Sequence, residues 1–183
     1  MKTTYKIDPA HSSAHFIVRH MMITNVRGGF TSVQGMVVYD PEDLSGSSID
    51  VIIDVNSLST SDASRDGHLK SAEFLDVEKF ATITFKSNKI APAGHGEWNV
   101  TGLLTIHGVT KEVVLDVDGP SKPLKVGKVV HIGASTSLTI NRKDYGMVYN
   151  RVLDNGGVMV GDEVEITLDI DLTQPAPGAE GAK

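Results

Sequence analysis

The sequence predicts an all-β protein: eight antiparallel strands closed into an up-and-down barrel, with one short helical interruption. Three observations carry that prediction. Apolar and polar residues alternate almost from end to end of the 183 residues, as in strands that bury one face. Clusters of Gly, Pro, Asn, Asp and Ser separate the alternating runs. A single stretch, Ser64 to Phe80, abandons the alternation for helical spacing. One-sided burial suits antiparallel pairing, and closing the sheet removes its exposed edges.

The first run, SAHFIVRHM, sets Phe16, Val18 and His20 on one face against His15, Ile17 and Arg19. SVQGMVVYD follows with Val33, Gly35 and Val37 on the inner face, and SIDVIIDVNSL with Val51, Ile53 and Val55. Next comes the helical stretch, where Leu69, Ala72, Glu73, Leu75 and Phe80 imply one or two short turns of helix. ATITFKSNKI restores the alternation with Ile83 and Phe85 inward. WNVTGLLTI offers Val100, Gly102, Leu104 and Ile106; KEVVLDVDG offers Val113, Leu115 and Val117. VVHIGASTSLTI contributes Ile132, Ala134, Leu138 and Ile140. EVEITLDIDL is the cleanest strand, with Val164, Ile166, Leu168 and Ile170 opposed to Glu165, Asp169 and Asp171. Residues 1–173 read as one domain. The closing QPAPGAEGAK, residues 174–183, has little to bury and is expected to be disordered.

Composition excludes several function classes. A net charge of -6 without any basic run argues against a nucleic-acid surface. Without cysteine there is no disulfide, thiolate metal site or thiol nucleophile. The N-terminal MKTTYKIDPA lacks the apolar core of a secretory signal, and no stretch of about 20 apolar residues is present. A soluble, cytoplasmic protein without a membrane span is therefore expected.

The inner faces carry an anomaly. Aromatic residues make up only 5% of the chain, and Gly35, Gly102 and Ala134 fall on inward positions. An eight-stranded barrel either fills its interior with side chains or keeps room for one small ligand. Small inward residues fit the second option, whereas glycines that mark bends or bulges fit the first.

Chemical motifs are sparse. The seven histidines form no i, i+2 strand pair and no HExxH, so no metal and no cofactor are expected. No GxSxG elbow or phosphate loop is present. Arg65, Asp66 and His68 lie within four residues, and an Asp with a His can do general acid–base work. The alternative is structural. Asp66 caps the following helix, Arg65 pairs with a carboxylate, and Leu69 and Phe74 plug one end of the barrel. With no nucleophile or metal ligand beside the pair, the structural reading is preferred and no catalytic residue is expected. His20 reads as a core histidine able to donate one hydrogen bond to a ligand.

Five segments in order, YKIDPAHSSAHFIVRHMMITNVRGGF, SLSTSDASRDGHLKSAEFLDVEKFATITFKS, VTGLLTIHGVTKEV, INRKDYG and VGDEVEITLDIDL, resemble the YceI-like family of polyisoprenoid-binding proteins. The resemblance runs from about Tyr5 to Leu172. It implies an extended, lipocalin-like, eight-stranded antiparallel barrel holding a long isoprenoid or similar amphiphile in a central apolar channel, and it implies no catalytic residues. It also implies a possible homodimer and casts Arg142 and Tyr145 as a mouth or packing feature. Many relatives carry an export signal. The aromatic usual after a glycine in the seventh strand is replaced here by Ala134, which widens the channel or alters its ligand.

The expected function is to bind and sequester or transport such a lipid. The channel wall is assigned to Phe16, Val18, His20, Val33, Gly35, Val37, Val51, Ile53, Val55, Ile83, Phe85, Gly102, Leu104, Ile106, Ile132, Ala134, Leu138 and Ile140. Arg65, Asp66, His68, Leu69 and Phe74 are assigned to a lid over it. Two other readings remain: an enzyme acting on an isoprenoid lipid through Asp66 and His68, and a ligand-free, stress-related structural protein with a filled barrel.

Overall fold

The computed structural model describes residues 2–154 and 156–176. Within them, eight long staves form an antiparallel barrel in which chain neighbours are also sheet neighbours. The first three staves are each broken in two. They are β1 (Thr3–Ile7) with β2 (Ser13–His20), β3 (Thr24–Phe30) with β4 (Val33–Tyr39), and β5 (Ser48–Asp54) with β6 (Leu58–Ser59). Helix α1 (Ala63–Lys70) follows, and then the unbroken staves β7 (Thr82–Gly94), β8 (Glu97–Ile106) and β9 (Val109–Asp118). A short β10 (Leu124–Val126) folds back on β11 (Val129–Asn141), and β12 (Val160–Pro175) is the last stave. β12 closes the ring: it pairs with β11 from Asn141↔Glu163 to Val129↔Pro175, and on its other edge with β1 and β2. All eight alternating runs are staves, and the expected fold class is correct.

Side chains secure the backbone where the early staves break. Asp8 donates its N–H to the Asp171 carbonyl at 2.8 Å, and the Asp171 N–H returns to Ser12 Oγ at 3.0 Å. At the adjoining breaks, Ser32 N–H donates to Ser57 Oγ at 3.1 Å and Asp54 N–H to the Ser32 carbonyl at 3.1 Å. Val33 and Val55 flank these breaks and are fully buried there. The β2–β3 hairpin turns through Met21 and Met22, whose φ angles of 49° and 63° are both left-handed. Backbone pairing between β9 and β11 covers only Ser135↔Asp118, Thr136↔Val117 and Ser137↔Asp116, whereas β8 and β9 pair along their whole length.

Two inward glycines are not openings. A Cβ on Gly102 would lie 2.5 Å from Phe85 Cζ and 2.6 Å from the Lys86 carbonyl oxygen. The Phe85 ring covers that position, beside a register shift between Ser87 and Lys89. At Gly35 the corresponding contact is the Asp50 carbonyl oxygen, at 2.2 Å. Both glycines permit close approach of neighbouring groups, the alternative that small size alone leaves open. At the C-terminus, β12 runs to Pro175, and Ala176 is buried with its N–H on the Lys128 carbonyl at 2.8 Å. The ordered chain therefore passes the expected boundary at 173; the remainder of the expected tail lies outside the described residues. No described helix is long and apolar enough to cross a membrane.

Candidate functional site

An apolar cavity of about 260 Å³ runs along the barrel interior, lined by side chains from all eight staves. At one end its wall includes Leu69, Phe74, Leu75 and Met147; at the other it includes Tyr39, Ser47, Trp98 and Pro120. Of the residues expected on the channel, Phe16, Val18, Val37, Val51, Ile53, Ile83, Phe85, Leu104, Ile106, Ile132, Ala134, Leu138 and Ile140 lie on this wall. The other five lie off it. Gly35 and Gly102 are covered by their neighbours, as above. Val33 and Val55 pack at the stave breaks. His20 sits at the tip end of β2, where its pairing partners are Thr24 and Val160.

The expected lid divides in the same way. Leu69 and Phe74 reach the cavity; Arg65, Asp66 and His68 do not. Asp66 is not the helix cap. That role belongs to Asp62, whose carboxylate accepts the Arg65 N–H at 2.9 Å. Asp66 instead accepts both the backbone N–H and the hydroxyl of Thr60, at 2.7 and 2.6 Å. Among the described residues Arg65 has no carboxylate in a salt bridge with it. Its Nε and Nη2 donate to Thr60 Oγ1 and the Thr60 carbonyl at 2.8 and 2.9 Å. The two charged residues grip Thr60 from both sides and fasten α1 to the end of β6. His68 turns outward to Glu73 at 2.5 Å and joins Phe74 and Tyr149 in a three-ring cluster, with centroids 5.0 to 5.1 Å apart.

The Thr60 hydrogen bonds hold the Asp66 carboxyl below the usual carboxylate range. A depressed folded-state pKa adds stability above the unfolded value and loses it as pH falls through the folded one. The acid limb of a urea-midpoint-versus-pH curve, taken below about pH 5, is therefore expected to flatten in Asp66→Asn. An identical limb in the variant would remove Asp66 from the acid response.

Of the two tasks expected for it, mouth or packing, Arg142 performs the packing, at the end of the cavity. It is 2% exposed and donates to the carbonyls of Gly161 at 2.8 Å, Met147 at 2.5 Å and Val160 at 3.4 Å. Burial lowers its pKa from the ordinary guanidinium value. Tyr145 is equally buried, and desolvation raises its pKa. Both residues pin the segment after β11 across the barrel end. Trp98 and Met147 reach the cavity but were absent from the expected wall: Trp98 starts an alternating run and Met147 lies in a loop.

One described group has metal-ligand chemistry. Ligand atoms of Asp8, His11 and Asp171 lie within 4.8 Å of one another. None of the three touches the cavity. The Asp8 carboxylate accepts from His11 Nδ1 at 2.9 Å, and His131 Nδ1 sits 3.0 Å from the Asp171 carboxylate, so the three groups are already engaged in Asp–His pairs.

Comparison with known proteins agrees with this build. UPF0312 proteins of Staphylococcus aureus strains N315 and MSSA476 are 37% identical over 165 residues, covering 89% of this chain and 93% of theirs. The crystal structure of Burkholderia cenocepacia BcnA superposes with a TM-score of 0.75 at 27% identity, over 92% of this chain and 99% of that one. A polyisoprenoid binding domain from Saccharophagus degradans, implicated in plant cell wall breakdown, shares the fold at a TM-score of 0.65 and 18% identity, over 94% and 98% of the two chains. The family model for the YceI-like domain matches residues 5–172. Since that match takes in all eight staves and the helix between the third and fourth, the chain belongs to the YceI-like family.

Proposed function

We propose that the protein binds a long-chain isoprenoid or similar amphiphilic lipid in the barrel interior and sequesters or carries it. The observation that carries this reading is the cavity itself. At about 24 cal/mol per Å³ of void, leaving about 260 Å³ unfilled costs on the order of 6 kcal/mol relative to a packed core. That is comparable with the whole stability of a domain, about 5–15 kcal/mol. A filled structural barrel has no reason to keep such a void. An apolar tail recovers the loss, because each buried methylene contributes about 0.8 kcal/mol. The name of the Saccharophagus domain, as a polyisoprenoid binder, supports the same ligand class.

A non-enzymatic role is part of the proposal. Asp66 is committed to Thr60 and His68 to Glu73, and neither side chain faces the cavity. The test is mass spectrometry of organic extracts from protein purified out of its own host. A stoichiometric lipid with an isoprenoid tail is expected. Extracts without lipid, together with no saturable binding of a fluorescent isoprenoid, would sink the proposal.

A further inference from the structure

We infer that the β2–β3 hairpin tip is a docking surface for a membrane bearing anionic lipid headgroups. The tip presents Met21, Met22 and Ile23 in succession, with Met22 55% and Ile23 69% exposed. Turns with two left-handed central residues ordinarily use Asn-Gly or Gly-Gly. Here Met21 and Met22 take that conformation, and the Ile23 N–H closes the turn on the His20 carbonyl at 3.1 Å. Water-facing methionines in a backbone conformation that disfavours them have no packing explanation, and strained local geometry tends to mark functional positions.

A second apolar segment adjoins the tip. The Met21 N–H donates to the Met159 carbonyl at 2.8 Å, and the Met159 N–H donates to the Arg151 carbonyl at 2.9 Å. Val152, 74% exposed, pairs with Val158 in the same small ladder. The two loops are thus joined through their backbones at the end of the barrel where Leu69, Phe74 and Met147 close the cavity.

Charge identifies the partner. The chain holds 23 acidic residues, yet none lies between Asp8 and Asp40. That interval contains Arg19 and Arg27, both exposed, on the outer face of the hairpin, where the pairs Ile17↔Arg27 and Arg19↔Asn25 set them diagonally across the ladder. From Gly146 to Leu153 the sole charged residue is Arg151. A cationic, acid-free hairpin on a net acidic molecule, tipped with exposed apolar residues, combines the two attractions that hold proteins at anionic bilayers. Docking this end places the cavity's lid against the lipid.

The surface deepens the lipid-carrier reading and rests on it, but its test uses purified protein with no isoprenoid added. Protein is floated with phosphatidylglycerol–phosphatidylcholine vesicles and with phosphatidylcholine vesicles alone. Flotation with the anionic vesicles is expected, weakening as salt is raised. The double variant Met22→Asp, Ile23→Asp is expected to reduce the bound fraction at least tenfold while keeping wild-type melting and wild-type titration with a fluorescent isoprenoid. Asp tolerates the left-handed backbone at position 22, and neither residue lines the cavity. Arg19→Gln with Arg27→Gln is expected to erase the preference for anionic vesicles. Wild-type protein that floats with neither vesicle overturns the inference while leaving the channel titration intact. So does a double variant that floats normally. Loss of a solution dimer in the double variant, without vesicle binding by wild type, would instead make the tip a contact between two copies.

Discussion

Replacing Arg142 with Met is expected to cost about 3–5 kcal/mol of stability, the loss typical of breaking a buried charged cluster from one side. The ion pair itself is the smaller part. Asp162 is 39% exposed, sits 3.4 Å from the guanidinium, and has Lys143 as a second partner at 2.8 Å. The larger part is the set of carbonyls at Met147, Val160 and Gly161, since each buried acceptor left unpaired costs about 1–3 kcal/mol. Met nearly preserves the volume, so cavity formation does not confound the result. For a typical urea slope of about 2 kcal/mol per molar, the midpoint should fall by about 2 M. An unshifted midpoint would show that water takes over all three carbonyls.

Binding should respond most to a ring placed in the cavity. Ala134→Phe projects a phenyl group from β11 into a void of about 260 Å³. A fluorescent long-tailed isoprenoid is expected to bind about tenfold more weakly or worse, a loss of about 1.4 kcal/mol or more, with short tails affected less. Stability should hold or rise, because the ring fills empty apolar space. Gly102→Leu is the contrasting case. Its new side chain meets the Phe85 ring and the Lys86 carbonyl, so overpacking of about 1–3 kcal/mol is expected. If Ala134→Phe leaves the titration unchanged, the tail does not lie where the cavity is.

The barrel was legible because one-sided burial writes itself into sequence with period two. Each of the eight runs from SAHFIVRHM to EVEITLDIDL became a stave, and most of their inner faces became cavity wall. The glycines were not legible in the same way. An inward Gly reads alike whether it borders empty space or makes room for a ring, and only the position of Phe85 decides between them. The helix cap was assigned to the wrong aspartate for a similar reason. Asp62 and Asp66 stand four residues apart, and what separates their roles is Thr60, whose position at the end of β6 is a tertiary fact. His11 and Asp171 are 160 positions apart, which no spacing rule can join.

The short ladder between β9 and β11 has a consequence for how the molecule breathes. Separating β11 from β12 requires undoing thirteen paired positions, from Val129 to Asn141, whereas separating β9 from β11 requires undoing three. Native-state fluctuations concentrate where the fewest backbone bonds must break. The barrel is therefore less a sealed tube than a rolled sheet with one loosely stitched edge. Leu115, Val117, Leu138 and Ile140 border both that edge and the cavity, so a transient slit there would expose the interior sideways, along the length of a bound tail, instead of through either end.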